Sequence, residues 1–188
     1  ERGLLDPEKH PIFLSELISK PAYSDVARPL AHIYLEDPSR FDDAIEQNAL
    51  RRSLIRSLAN QGVPGLAKGL VRGSDLQDPA VATDLGAGFL SAGEYREAIA
   101  VVTKSDDGVP QRLILSEAFL AMGDFEKAIS VLDTIPNDVE ISKEDALAIS
   151  TSRLKAELAG QDFASAFVTA NEQLENLSDQ ELATQSAL

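Results

Sequence analysis

Leu85-Gly86-Ala87-Gly88-Phe89, followed by Gly93-Glu94-Tyr95-Arg96-Glu97-Ala98-Ile99, is the stretch that decides the fold. It returns as Leu115-Ser116-Glu117-Ala118-Phe119 with Gly123-Asp124-Phe125-Glu126-Lys127-Ala128-Ile129. In each copy an apolar run of helical period stops at a glycine, and a second run starts with an aromatic residue two positions on. Glycine is needed there because the chain must take a left-handed or strained conformation between two helices. Ala98 and Ala128, five residues past the glycines, fit where two helices approach too closely for a larger side chain. Phe89, Tyr95, Phe119 and Phe125 fill the space between hairpins. The glycines lie about 30 residues apart, the period of stacked helical hairpins.

Two weaker copies flank these. Leu54-Ile55-Arg56-Ser57-Leu58 precedes Gly62, with Ala67 five residues on; Pro64 and Gly65 predict a short second helix. At the other end Gly160 is followed by Phe163 and Ala166, each one residue late. The units therefore lie near 48–73, 79–108, 109–135 and 146–176. They form an array over 42–188, behind an N-terminal helical segment, 1–41, that lacks the pattern.

Helix start and stop signals place the elements. Asp78-Pro79 sets an N-cap before an N1 proline. Helices are predicted over 79–91, 94–104, 110–121 and 124–134. Ser142 to Asp145 resembles a capping box and opens a helix to 159. Helices over 162–176 and 178–187 follow, the last opened by Ser178-Asp179-Gln180-Glu181. Pro7, Pro11, Pro21, Pro29 and Pro38 break the N-terminal segment into helices near 11–19 and 22–36, before one near 40–60. Pro29 leaves the second of these kinked or late in starting. With abundant Ala and Leu and no alternating β-branched runs, the chain reads as all-α.

Net charge is −14, unevenly spread: residues 1–78 hold 10 Lys and Arg against 12 Asp and Glu, and residues 79–188 hold 7 against 19. The acidic second half disfavours nucleic acid and anionic membrane as partners. The absence of Cys excludes disulfides, thiolate catalysis and zinc–thiolate sites. No apolar run reaches the roughly 20 residues of a membrane span. The start at Glu1 reads as a processed or truncated product, with export to the periplasm and a simple chain boundary both open.

These residues resemble the tetratricopeptide repeat (TPR). Leu85, Gly86, Phe89, Gly93, Tyr95 and Ala98 match its pattern, and the next unit matches with Ser116 at the small position. The resemblance implies a right-handed superhelical array of antiparallel hairpins, a TPR-like α-solenoid, whose first helices line a concave groove. Family members that clamp chaperone tails use Lys and Asn on those helices. Here the corresponding positions hold Ala80, Thr83, Asp84 and Ala87, then Leu113, Ile114 and Glu117, so that clamp is absent.

No constellation points to chemistry. His32 and Glu36 share a helix face without a third metal ligand, and His10 stands alone. The glycines at 86, 88 and 93 lack the strand and Gly-Lys-Ser/Thr of a phosphate loop. Asp106-Asp107, Asp42-Asp43 and Glu144-Asp145 suit loops and helix starts, and Asn176-Leu177-Ser178 fits a helix cap better than a glycosylation site. Arg51, Arg52 and Arg56 read as paired with Asp42, Asp43 or Glu46, or as a contact for an acidic partner.

The expected function is a non-enzymatic protein–protein interaction scaffold without cofactor or metal, binding a peptide or protein in its groove. The groove residues are Arg52, Arg56, Thr83, Ala87, Leu90, Leu113, Glu117 and Leu120, with a basic end and an apolar middle. The N-terminal helices or a neighbouring chain filling that groove is the competing arrangement. Two other classes stay open: the helical shell of a larger, possibly enzymatic protein, and a self-assembling module. Composition and repeat style suggest a soluble bacterial protein of the cytoplasm or periplasm.

Overall fold

The structure, a computed structural model, describes residues 11–37, 45–105, 108–135 and 141–186. Every α-helix or β-strand among the described residues is an α-helix. They run α1 (Pro11–Ile18), α2 (Ala27–Glu36), α3 (Ile45–Asn60), α4 (Pro64–Leu70), α5 (Pro79–Ser91), α6 (Tyr95–Val102), α7 (Val109–Ala121), α8 (Phe125–Asp133), α9 (Lys143–Ala159) and α10 (Phe163–Ser186). The chain forms two compact units, 1–107 and 108–188.

Four antiparallel hairpins, α3–α4, α5–α6, α7–α8 and α9–α10, carry the repeat. At each turn one residue is left-handed: Gly62, Gly93 and Gly123 have φ of 73°, 77° and 79°. The next residue's N–H donates to the carbonyl five positions back, as in Glu94 to Phe89 and Asp124 to Phe119, both at 2.9 Å. This is the Schellman closure, which satisfies carbonyls the ending helix leaves open.

The fourth turn corrects the sequence reading. Its left-handed residue is Gln161, φ 63°, not Gly160. The closing bond runs from Asp162 to Glu157 at 2.9 Å. Counted from Gln161, Phe163 and Ala166 are in register with Tyr95 and Ala98; the apparent one-residue delay came from taking Gly160 as the turn. Ala67, Ala98, Ala128 and Ala166 are all buried. Ser116 fits its small position by donating its hydroxyl to the Ala128 carbonyl at 3.0 Å.

Helix caps follow the sequence closely. Asp78 accepts from the Ala80 N–H at 3.0 Å and opens α5. Ser142 accepts from the Asp145 N–H at 3.1 Å, and its hydroxyl donates to the Asp145 carboxylate. Two boundaries differ. The helix expected near 22–36, kinked or late in starting because of Pro29, starts late: a 3-10 turn, Pro21–Val26, leads into α2 at Ala27. Pro29 then falls in the first turn of α2, where its missing N–H costs no helical bond. The helices expected over 162–176 and 178–187 are one helix, α10. Neither Gly nor Pro interrupts it there, and Asn, Ser and Asp inside a helix each cost only a few tenths of a kcal/mol. Asp42, Asp43, Asp106, Asp107 and His10 lie outside the described residues.

In the first unit α1 packs on α3 much as α3 packs on α5, and α2 packs on α3 and α4. The N-terminal helices thus form a layer of the same unit, without the repeat motif. Ser15 and Ser53 share a hydrogen bond of 2.7 Å across α1 and α3. Leu14, Ile18, Leu50, Leu54, Leu58, Leu85 and Phe89 make the core. A close approach of α3 and α5 is at Gly88. A β-carbon there would lie 2.9 Å from the Ala59 carbonyl oxygen and 3.1 Å from its Cα, so α3 and α5 meet backbone to backbone. In the second unit α8 and α7 pack on α9, and α9 on α10, around a core of small residues, Ala118, Ala128 and Ala156, with Ile114 and Leu132.

Candidate interaction surface

The arginines on α3 find partners one layer on. Arg51 is buried and forks onto Asp75, with Nε and Nη2 at 2.9 and 2.8 Å from its two carboxylate oxygens. Arg52 bridges Asp75 at 3.3 Å and Asp78 at 3.1 Å, and Arg56 pairs with Asp84. The Arg72 N–H also donates to Asp75 at 2.8 Å. Burial pushes the Asp75 carboxyl up, but the Arg51 hydrogen bonds, the Arg72 N–H and the arginine charges outweigh it and hold it below its ordinary value. These acids lie 23 to 28 residues along the chain from their arginines. Asp42 and Asp43, and the side chain of Glu46, which the sequence suggested as partners, lie outside the described residues. Arg51 and Arg52 therefore tie α3 to the turn before α5.

The expected groove residues divide between the units. Arg52, Arg56, Thr83, Ala87 and Leu90 lie on α3 and α5 of the first. Leu113, Glu117 and Leu120 lie on α7 of the second. Arg56 is exposed, the others are half-buried, and none is closed off. Thr83 turns its hydroxyl back to the Pro79 carbonyl at 2.6 Å, so this position is less polar than its residue type suggests.

A cleft of about 310 Å³ opens where the end of α1 and the 3-10 turn meet α3 and α5. Lys20, Ser24, Ser53, Arg56, Asn60 and Asp84 are among its walls. Gln61 holds one wall by donating to the Ser24 carbonyl at 2.7 Å and to the Ser57 hydroxyl at 3.0 Å. Two cations, one carboxylate and several hydroxyls and amides make it a hydrogen-bonding site with a small positive excess. Lys20 and the serines of this cleft carry no motif; they become neighbours only because α1 seats on α3. The end of α1 and the 3-10 turn thus form one wall of this cleft, and Arg56 on α3, itself exposed, lines another.

Among the described residues no group of three or more His, Cys, Asp or Glu side chains is placed to hold a metal. No helix there is long and apolar enough to cross a membrane. Comparison of the chain with protein-family models, curated proteins and solved structures finds no match.

Proposed function

We propose that this chain is a non-catalytic, TPR-like protein-binding scaffold, its hairpins stacked as a right-handed superhelical array. The observation that carries the reading is the recurring turn. Four hairpins share one left-handed residue, one closing hydrogen bond and one buried alanine, the device by which helical hairpins are repeated rather than merely adjacent. Stacked hairpins present their first helices along a shared face, and here that face is apolar at Ala87 and Leu90 with a polar cleft at one end. The ligand is a peptide with apolar anchors and an acidic flank. Its acid meets Lys20 and displaces Asp84 from Arg56.

The test is a displayed library of linear peptides selected on the immobilised full chain. Selected peptides should combine apolar and acidic residues. Leu90→Asp and Arg56→Glu should each weaken them by about tenfold or more, and Asp84→Asn should tighten them by freeing Arg56. Selection of basic or purely polar peptides, or indifference to all three substitutions, would refute the reading.

A further inference from the structure

We propose that the cleft between α1, α3 and α5 is a binding site for a free acidic amino acid, a small ligand with two carboxylates and one ammonium. The cleft comes from a departure in the repeat. Ser57 holds on α3 the position that Gly88, Ala118 and Ala156 hold on α5, α7 and α9, five residues before the left-handed turn residue. Those three are buried, and at Gly88 the backbone of the preceding helix closes in. Before α3 the packing differs. α1 stops at Ile18, the chain turns aside into the 3-10 turn at Pro21, and Ser57 faces the cleft half-buried. A position that is Gly or Ala where a neighbour seals it is here a hydroxyl. Ser53, Arg56, Ser57 and Asn60 recur at i, i+3, i+4 and i+7, so they make one polar stripe of α3 along the cleft.

The hydrogen-bonding groups left unspent in the cleft define its ligand. Gln61 gives both amide hydrogens away, to the Ser24 carbonyl and the Ser57 hydroxyl, and keeps its side-chain oxygen as an acceptor. Ser57 accepts that bond and keeps its own proton to donate. Arg56 spends its Nε–H on one oxygen of Asp84. Its terminal nitrogens, the other Asp84 oxygen, the Lys20 ammonium and the Asn60 amide make no hydrogen bond among the described residues. Donors on two cations therefore dominate, with one carboxylate oxygen and the amide oxygens as acceptors.

An acidic amino acid is the complement in charge and in hydrogen bonding. Its carboxylates accept from Lys20, from the terminal nitrogens of Arg56 and from Ser57 and Asn60. Its ammonium donates to the second Asp84 oxygen and the Gln61 oxygen. Two cations and one anion in the cleft meet two anions and one cation in the ligand, so the charges cancel. A bare dianion fits less well. It would face Asp84 without an ammonium between them. α1 and α3 also end at the cleft, where their carbonyl ends carry partial negative charge. The volume of about 310 Å³ lies at the lower end of the roughly 300–1,000 Å³ of small-molecule sites, which suits a single amino acid. The site shares Lys20, Arg56 and Asp84 with the peptide proposed above and stands without it.

Residue-resolved NMR titration of the full chain tests this, with L-glutamate, L-aspartate, succinate and L-glutamine as probes. Glutamate or aspartate should shift the Ser57, Asn60 and Gln61 signals saturably, with a Kd below about 1 mM. Succinate, which lacks the ammonium, and glutamine, which lacks the second carboxylate, should each bind about tenfold or more weakly. Lys20→Ala should weaken glutamate about tenfold, and the exposed position of Lys20 leaves the fold intact. Asp84→Asn should weaken glutamate and strengthen succinate, a reversal that loss of the fold would not give. Absence of a saturable shift at these residues up to about 10 mM ligand overturns the proposal. So does succinate binding as tightly as glutamate, or a Lys20→Ala chain that binds like wild type. Asp84→Asn is expected to tighten the peptide while weakening glutamate, so peptide selection and this titration fail independently.

Discussion

Replacing Gln161 by glycine should make this protein more stable, an unusual direction for a substitution that removes a side chain. Gln161 is the one non-glycine residue with positive φ among the described residues, at 63°, while the three sister turns use glycine at 73° to 79°. An L-residue with a β-carbon costs about 1–2 kcal/mol in this region. Glycine removes that strain, but it makes the unfolded chain freer by about 0.4–1 kcal/mol. The net gain is about 1 kcal/mol. Gly160→Ala is the paired test. Gly160 has φ −75° and ψ −1°, which alanine adopts without strain. Its new β-carbon would lie 3.4 Å from the Phe125 β-carbon, an ordinary contact, and 3.2 Å from the Ala156 carbonyl oxygen, which asks for a small adjustment. The change should stay within about 0.5 kcal/mol. Because the chain forms two compact units, a single global midpoint need not report on the last turn, so the assay is hydrogen exchange resolved on α9 and α10 peptides. Gln161→Gly should slow exchange there about fivefold, the equivalent of about 1 kcal/mol. If Gly160 were the true turn residue, the signs would reverse. Gly160→Ala would then cost more than about 1 kcal/mol and Gln161→Gly would bring no gain, and the register derived above would be wrong.

Gly88→Ala should destabilise the first unit by about 2–3 kcal/mol, read from the urea midpoint, because its β-carbon meets the Ala59 backbone rather than a side chain that can move; an unchanged midpoint would place the α3–α5 contact elsewhere. Asp75→Asn should cost about 3 kcal/mol near neutral pH by leaving buried Arg51 without its carboxylate. The folded-state Asp75 carboxyl is held below its ordinary value of 3.8, so its contribution is fully present above that pH and fades as pH falls through the lower folded value. The wild-type advantage over Asp75→Asn, followed by urea midpoints against pH, should therefore shrink only on the acid side of 3.8; a gap that narrows above neutrality would count against the pairing. Glu157 is buried at the position that Leu58, Phe89 and Phe119 fill in the other hairpins, and its Oε2 has no hydrogen-bond partner among the described residues. Glu157→Leu should raise stability by about 1–3 kcal/mol in thermal melts, and a lowered melting temperature would show that the carboxylate has a role the fold requires.

What the sequence determined by itself is what short-range physics writes into short stretches. The glycine, aromatic and alanine at each turn, the Asp78-Pro79 start of α5 and the short α4 after Pro64 depend on residues within a few positions of one another. Each could be read from conformational preference and helical period. The tertiary structure alone decided which distant residues meet. It gave Arg51 and Arg52 their partner Asp75, more than 20 residues away, and brought Gly88 against Ala59. It seated the motif-free α1 on α3, forming a cleft from serines that no spacing marks. It also moved the last turn from a glycine to a glutamine, because the packing of α9 and α10 on either side fixes where the chain must reverse and outweighs about 1 kcal/mol of local backbone preference.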